Sequence, residues 1–141
     1  MRAPQWILLL WLAAAPALAQ AGLVLVAHPH SGIERLTRDE AINIYLGRYR
    51  LLASGVAAEP LDHPVHAEAR HRFYRALVNK TPAEINAYWA RLIFSGKTRP
   101  PRVVDSVERM LHLVATRPGA LAYVERSQVD ARVKIVFELE E

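Results

Sequence analysis

Short apolar runs alternate along the chain with segments in which apolar residues recur every three or four positions. The short runs predict four strands, at 23–27, 56–61, 120–124 and 132–139. The first run is apolar at every position, which is typical of a parallel strand buried on both faces. In the last run, we expect Val133, Ile135 and Phe137 to share one face.

The segments between these runs have the spacing of amphipathic helices. We predict helices that begin near residues 38, 66, 82 and 106. Thr37 and Thr81 each precede a glutamate by three positions, the spacing of a capping box that starts a helix. Because strands alternate with helices, we predict one α/β domain, with a mainly parallel sheet flanked by helices.

The first nineteen residues follow a different pattern. Arg2 precedes an apolar stretch from Trp6 to Ala15, and Ala17-Leu18-Ala19 has the small residues of a cleavage site. This arrangement predicts a secretory signal peptide at 1–19, so that residues 20–141 form a single exported domain.

Composition narrows the classes of function. The chain has no cysteine, which excludes disulfides, thiolate metal sites and a cysteine nucleophile. Its 18 Lys and Arg exceed its 14 Asp and Glu, but they are spread along the sequence, and we expect no nucleic-acid partner. The sequence has no Gly-x-Ser-x-Gly motif or other catalytic signature, so we expect a protein that is not an enzyme and has no cofactor.

Several stretches are similar to a known family. Leu36-Thr37-Arg38-Asp39-Glu40, with Ile44-Tyr45-Leu46-Gly47-Arg48, resembles a stretch of the phosphate-binding proteins of bacterial ABC transporters. Pro118-Gly119-Ala120-Leu121-Ala122-Tyr123-Val124 resembles a second stretch, late in the same proteins. The resemblance runs from Leu23 to Phe137.

The resemblance implies a single periplasmic-binding-protein-like lobe, located in the periplasm. It also implies non-catalytic capture of a small oxyanion, with phosphate as the first guess, for a membrane transporter. The family's phosphate loop, Arg-Ser-Asp-Gly-Ser-Gly-Thr, should fall within residues 61–70. This chain has neither the serines nor the glycines of that loop there.

The predicted strand ends suggest where a ligand would bind. Ligands of open parallel sheets bind beyond the carboxyl ends of the strands. Segments 28–32 and 62–66 each follow a predicted strand, so we expect both at one edge, beside the start of the second helix. The predicted oxyanion site consists of Ser31, Gly32, His63, His66 and Arg70.

Two alternatives to oxyanion binding stay open. The first is a metal site, because imidazole is a common metal ligand and four histidines flank the same segments: His28, His30, His63 and His66. The second is a periplasmic docking or sensing module that contacts a partner protein through the cationic segments 48–50 and 97–102. A homodimer or a partner protein could also complete a ligand cleft.

Overall fold

A computed structural model describes residues 22–141, and the predicted signal peptide at 1–19 lies outside the described residues. The strands are β1 (Leu23–Ala27), β2 (Glu59–Asp62), β3 (Arg102–Val103), β4 (Ala120–Glu125) and β5 (Lys134–Glu138). The helices are α1 (Arg38–Tyr45), α2 (Glu68–Val78), α3 (Pro82–Ser95) and α4 (Val107–Thr116), with a 3₁₀ turn at Arg126–Gln128. Within the described region, no helix has the length and apolar character needed to cross a bilayer.

The five strands form one sheet in the order β3-β2-β4-β1-β5. β2 runs parallel to both β3 and β4, whereas β1 runs antiparallel to both β4 and β5. Four strands therefore share one direction, which confirms the mainly parallel α/β sheet. The prediction that β1 is itself a parallel strand is wrong. A continuous apolar run indicates that a strand is buried on both faces, but it does not indicate the direction of the strand.

Helices cover the two faces of the sheet. Leu23, Leu25 and Ala27 of β1 belong to the cluster that packs with α1, α2 and α3. Val24 and Val26 point to the opposite face, where they belong to the cluster that contains the buried side chains of α4. All five residues of β1 are buried, as expected for a strand at the centre of three layers.

A bulge changes the predicted face of one β5 residue. Phe137 lies opposite Leu25 and Ile135 lies opposite Val26, so the register shifts between these two pairs. Ile135 packs with the α4 cluster, whereas Phe137 packs with the cluster of the opposite face. The prediction that Phe137 shares a face with Ile135 is therefore wrong, because one extra residue in a strand reverses the alternation that follows it.

The helix starts follow their capping residues. Thr37 and Thr81 form the predicted capping boxes with Glu40 and Glu84, at α1 and α3. α2 begins at Glu68, two residues after the predicted start, and its N-cap, Ala67, has no side chain that could accept a hydrogen bond. α2 therefore begins without the side-chain cap that α1, α3 and α4 have.

Candidate functional site

A buried carboxylate lies where β2 ends. Asp62 is 3% exposed, and its Oδ1 accepts hydrogen bonds from the His63 backbone N–H at 2.9 Å and from the Tyr123 hydroxyl. Its Oδ2 accepts from the Tyr74 hydroxyl at 2.8 Å and lies 3.4 Å from Nε of Arg70. Four donors thus surround one carboxylate, which is the arrangement that makes a buried negative charge tolerable.

Three neighbouring elements position these groups. β4 runs parallel to β2 and supplies Tyr123, while α2 follows β2 directly along the chain. Arg70 and Tyr74 are four residues apart on α2 and therefore lie on the same helix face. The Arg70 guanidinium carbon also lies 5.2 Å from the centroid of the Tyr74 ring.

The tyrosines around Asp62 are held as neutral donors. Burial, and then the negative charge of Asp62, raise the pKa values of Tyr45, Tyr74 and Tyr123 well above the ordinary tyrosine value. These hydroxyls therefore stay protonated and donate throughout the physiological pH range. The charge of Asp62 is balanced by Arg70, and a phenol in this site is not a candidate base.

Donors remain free at the start of α2. Arg70 is 6% exposed, and its Nη1 is buried without a hydrogen-bond partner among residues 22–141. Within the same described range, the backbone N–H groups of Glu68 and Ala69 have no acceptor. Two N–H groups in the first turn of α2 are thus free where the helix dipole favours an anion, and one buried guanidinium nitrogen of Arg70, in the same turn, has no acceptor.

The two predicted histidines of this site have different environments. His63 is 9% exposed, and its Nε2 lies 2.8 Å from the backbone oxygen of Tyr123, so one ring nitrogen is used inside the fold. His66 is exposed in the loop that leads into α2. His66 is therefore the histidine that an incoming ion could meet.

Ser31 and Gly32 lie at the other edge of the sheet. Ala27, at the end of β1, pairs with Leu121 near the start of β4, because the two strands are antiparallel. The expectation that segments 28–32 and 62–66 meet is therefore wrong, and it failed because it assumed a parallel β1. The Ser31 hydroxyl instead accepts from the Ile33 N–H at 3.2 Å, and Gly32 has a φ of 80° beside Ser54.

The same antiparallel strand separates the histidines of the alternative metal site. His28 and His30 contact each other, since Nδ1 of His28 accepts from the His30 N–H at 2.9 Å. His63 and His66 follow β2 at the opposite edge. Among the described residues, no group of three or more His, Asp or Glu side chains could hold a metal ion. The predicted histidine metal site is not formed.

The cationic segments of the docking alternative border an open cleft of about 990 Å³. One wall is the chain after α1, at Gly47, Tyr49 and Arg50, and the other is the chain after α3, at Thr98 and Arg99. The cleft is separate from the Asp62 cluster, whose residues do not line it.

Sequence reasoning missed the importance of the Asp62 cluster. Tyr74 and Tyr123 were not among the predicted site residues, but their hydroxyls both donate to Asp62. The available signal was an acidic residue at the end of an apolar strand. A buried carboxylate needs donors, and buried tyrosines are suitable ones.

Comparisons with known proteins relate this fold to phosphate receptors. No protein-family model matches the sequence, and no curated protein is significantly similar to it. An ABC-type phosphate transport receptor from Vibrio cholerae matches with a TM-score of 0.65 and 19% identity, over 82% of this chain and 45% of the receptor. A phosphate ABC transporter substrate-binding protein from Clostridium perfringens with bound phosphate matches with a TM-score of 0.63 and 18% identity, over 82% and 44%.

PstS from Borrelia burgdorferi matches with a TM-score of 0.63 and 14% identity, over 83% of this chain and 47% of that protein. This chain therefore spans less than half the length of these receptors, which corresponds to a single lobe. At these identities the similarity establishes the fold, and it confirms the structural resemblance predicted from the sequence.

Proposed function

We propose that the protein is an exported, non-catalytic solute-binding lobe that binds a small oxyanion at the amino-terminal end of α2. Phosphate is the first candidate for this ion. It shares its fold with receptors that are described as phosphate-transport proteins, one of them with bound phosphate. Delivery of the ion to a membrane transporter and location in the periplasm are parts of the same proposal.

The free donors at the start of α2 carry this proposal. The N–H groups of Glu68 and Ala69 have no acceptor among residues 22–141, and Nη1 of the buried Arg70 has none either. Asp62 holds the Arg70 side chain through Nε, so its guanidinium is fixed without a conformational search. His66 adds an exposed imidazole beside it.

These donors make half of a phosphate site. Asp62 already offsets the charge of Arg70, which lowers the attraction for a second anion. We therefore expect weak binding by the lobe alone and tighter binding when a second protein surface, either a partner or another copy, closes over α2. Ser31 and Gly32 have no part in this site, because they lie at the other edge of the sheet.

Position 68 allows a direct test of the backbone donor. Glu68 is the first residue of α2, where proline fits a helix and removes the N–H, and Ala67 has the extended ψ of 133° that proline requires before it. Glu68→Gln is the matched control, because it removes the same carboxylate and keeps the N–H. Phosphate and sulfate are titrated calorimetrically at low ionic strength, where charge interactions are least screened.

We expect saturable phosphate binding that is about tenfold weaker in Glu68→Pro than in Glu68→Gln, because a hydrogen bond to a charged group contributes roughly 1.5–3 kcal/mol. His66→Ala should also weaken binding, whereas His112→Ala, an exposed histidine on α4, should not. Equal affinities for the two position-68 variants, or no heat from folded protein, would contradict the proposal.

A further inference from the structure

Five cations of segments 48–50 and 97–102 have no acidic partner among the described residues. Arg48, Arg50, Lys97, Arg99 and Arg102 form no ion pair with any residue in the described range 22–141. Residues 22–141 contain seventeen Lys and Arg and fourteen Asp and Glu, so without these five the basic residues number only twelve. Ten of the seventeen form no ion pair within residues 22–141, and five of these ten belong to segments 48–50 and 97–102.

Arg50 and Arg99 of this group line the 990 Å³ cleft described above. The two walls are tied together across it, since the Thr98 hydroxyl donates to the Gly47 carbonyl at 3.2 Å and the Arg50 Nη2 donates to the Lys97 carbonyl at 2.6 Å. Gly47 is needed for this approach, because its φ is 75° and a Cβ there would lie 2.8 Å from Oγ1 of Thr98. The cleft is thus a formed feature of the fold.

Exposed apolar side chains accompany the charges. Tyr49 and Ile93 line the cleft and are 49% and 57% exposed, and Phe94, next to Ile93 at the end of α3, is 96% exposed. Large apolar groups on a cationic rim suit a partner that brings both carboxylates and an apolar side chain.

We propose that this cleft docks an acidic segment of a partner protein, with carboxylates on Arg50 and Arg99 and an apolar side chain against Tyr49 and Ile93. Charge complementarity selects this occupant, because none of the residues that line the cleft is acidic. A second copy joined through the same face would place cations against cations, which disfavours a symmetric dimer there. The inference is independent of oxyanion binding at α2.

The test selects random dodecapeptides displayed on phage against the immobilised protein and measures synthetic copies of the enriched peptides by fluorescence anisotropy. We expect enrichment of peptides that contain several Asp or Glu and one large apolar residue. Arg50→Ala combined with Arg99→Ala should weaken their binding by at least about tenfold, equivalent to roughly 1.4 kcal/mol. Arg75→Ala combined with Arg109→Ala is the matched control, because both are exposed cations outside the cleft.

Arg99→Glu is a second variant that keeps the experiment informative if loss of the Arg50 bond to Lys97 disturbs the loop. The Arg99 side chain makes no hydrogen bond within residues 22–141, so reversing its charge should abolish peptide binding and leave the protein folded. Three results would overturn the proposal: no acidic enrichment, equal peptide affinity for Arg99→Glu, or a dimer in sedimentation that Arg99→Glu dissociates. Binding to phosphatidylglycerol vesicles that Arg99→Glu abolishes, without peptide binding, would instead assign the cleft to a membrane surface.

Discussion

Asp62→Asn is the substitution that most directly tests the buried cluster. The amide keeps the shape of the carboxylate but loses its charge, and one of its two acceptor atoms becomes a donor. Arg70, whose side chain is 7% exposed, then has no counter-charge, and the hydroxyl of Tyr74 loses its acceptor or meets an amide donor. We therefore expect a large loss of stability without a change in volume.

The expected magnitude follows from the burial of both partners. Removing one member of a buried ion pair costs about 3–5 kcal/mol, because the remaining charge is left without compensation. This is a large share of the roughly 5–15 kcal/mol by which domains are stable. With an m-value of about 1.5 kcal/mol/M, a loss of about 4 kcal/mol would lower the urea midpoint by ~2.5 M.

The assay is equilibrium urea unfolding followed by far-UV circular dichroism. Asp105→Asn, at an exposed aspartate, is the matched control and should change the unfolding free energy by less than about 0.5 kcal/mol. Adding Arg70→Met to Asp62→Asn removes both charges and should recover part of the loss. A cost below about 1 kcal/mol for Asp62→Asn, or a double variant less stable than the single one, would show that Asp62 and Arg70 are not a stabilising buried pair.

Two further predictions concern stability away from the cluster. In urea unfolding, Gly47→Ala should lower the free energy of unfolding by about 2–3 kcal/mol and Gly55→Ala by about 1 kcal/mol. Both glycines have positive φ, but only a Cβ at position 47 would clash with Thr98. Equal costs for the two variants would show that this clash contributes nothing. Hydrogen bonds from Arg72 lower the pKa of Glu141, so stability from this pair is complete at neutral pH and is lost as the pH falls below about 4.3, the unfolded value. Glu141→Gln should therefore cost up to about 1 kcal/mol at pH 7 and progressively less as the pH falls below about 4.3, and a cost that does not decline in acid would show another cause.

Local signals in the sequence predicted most of the elements. Thr37 and Thr81 start their helices because a capping box depends on residues only three positions apart. The two-residue strand β3, at Arg102–Val103, was missed, because it is too short to show a period and exists only through its pairing with β2. The reversal at Phe137 was missed because a bulge depends on the neighbouring strand.

The candidate site was predicted only in part, because some of its residues are close along the chain and others are not. His63, His66 and Arg70 are close in sequence, so the helix start that joins them could be recognised locally. Asp62 and Tyr123 are 61 positions apart, and only the parallel pairing of β2 with β4 brings them together.

The apolar strands and the capped helices could be recognised from the chain alone, because each depends on residues close together along it. Long-range pairing and packing set three other features: β1 runs antiparallel to its neighbours, Ser31 and His63 lie at opposite edges of the sheet, and the cationic cleft lies apart from the Asp62 cluster. Apolar side chains favour burial equally in either strand direction, so strand direction is set by how the whole sheet pairs and packs.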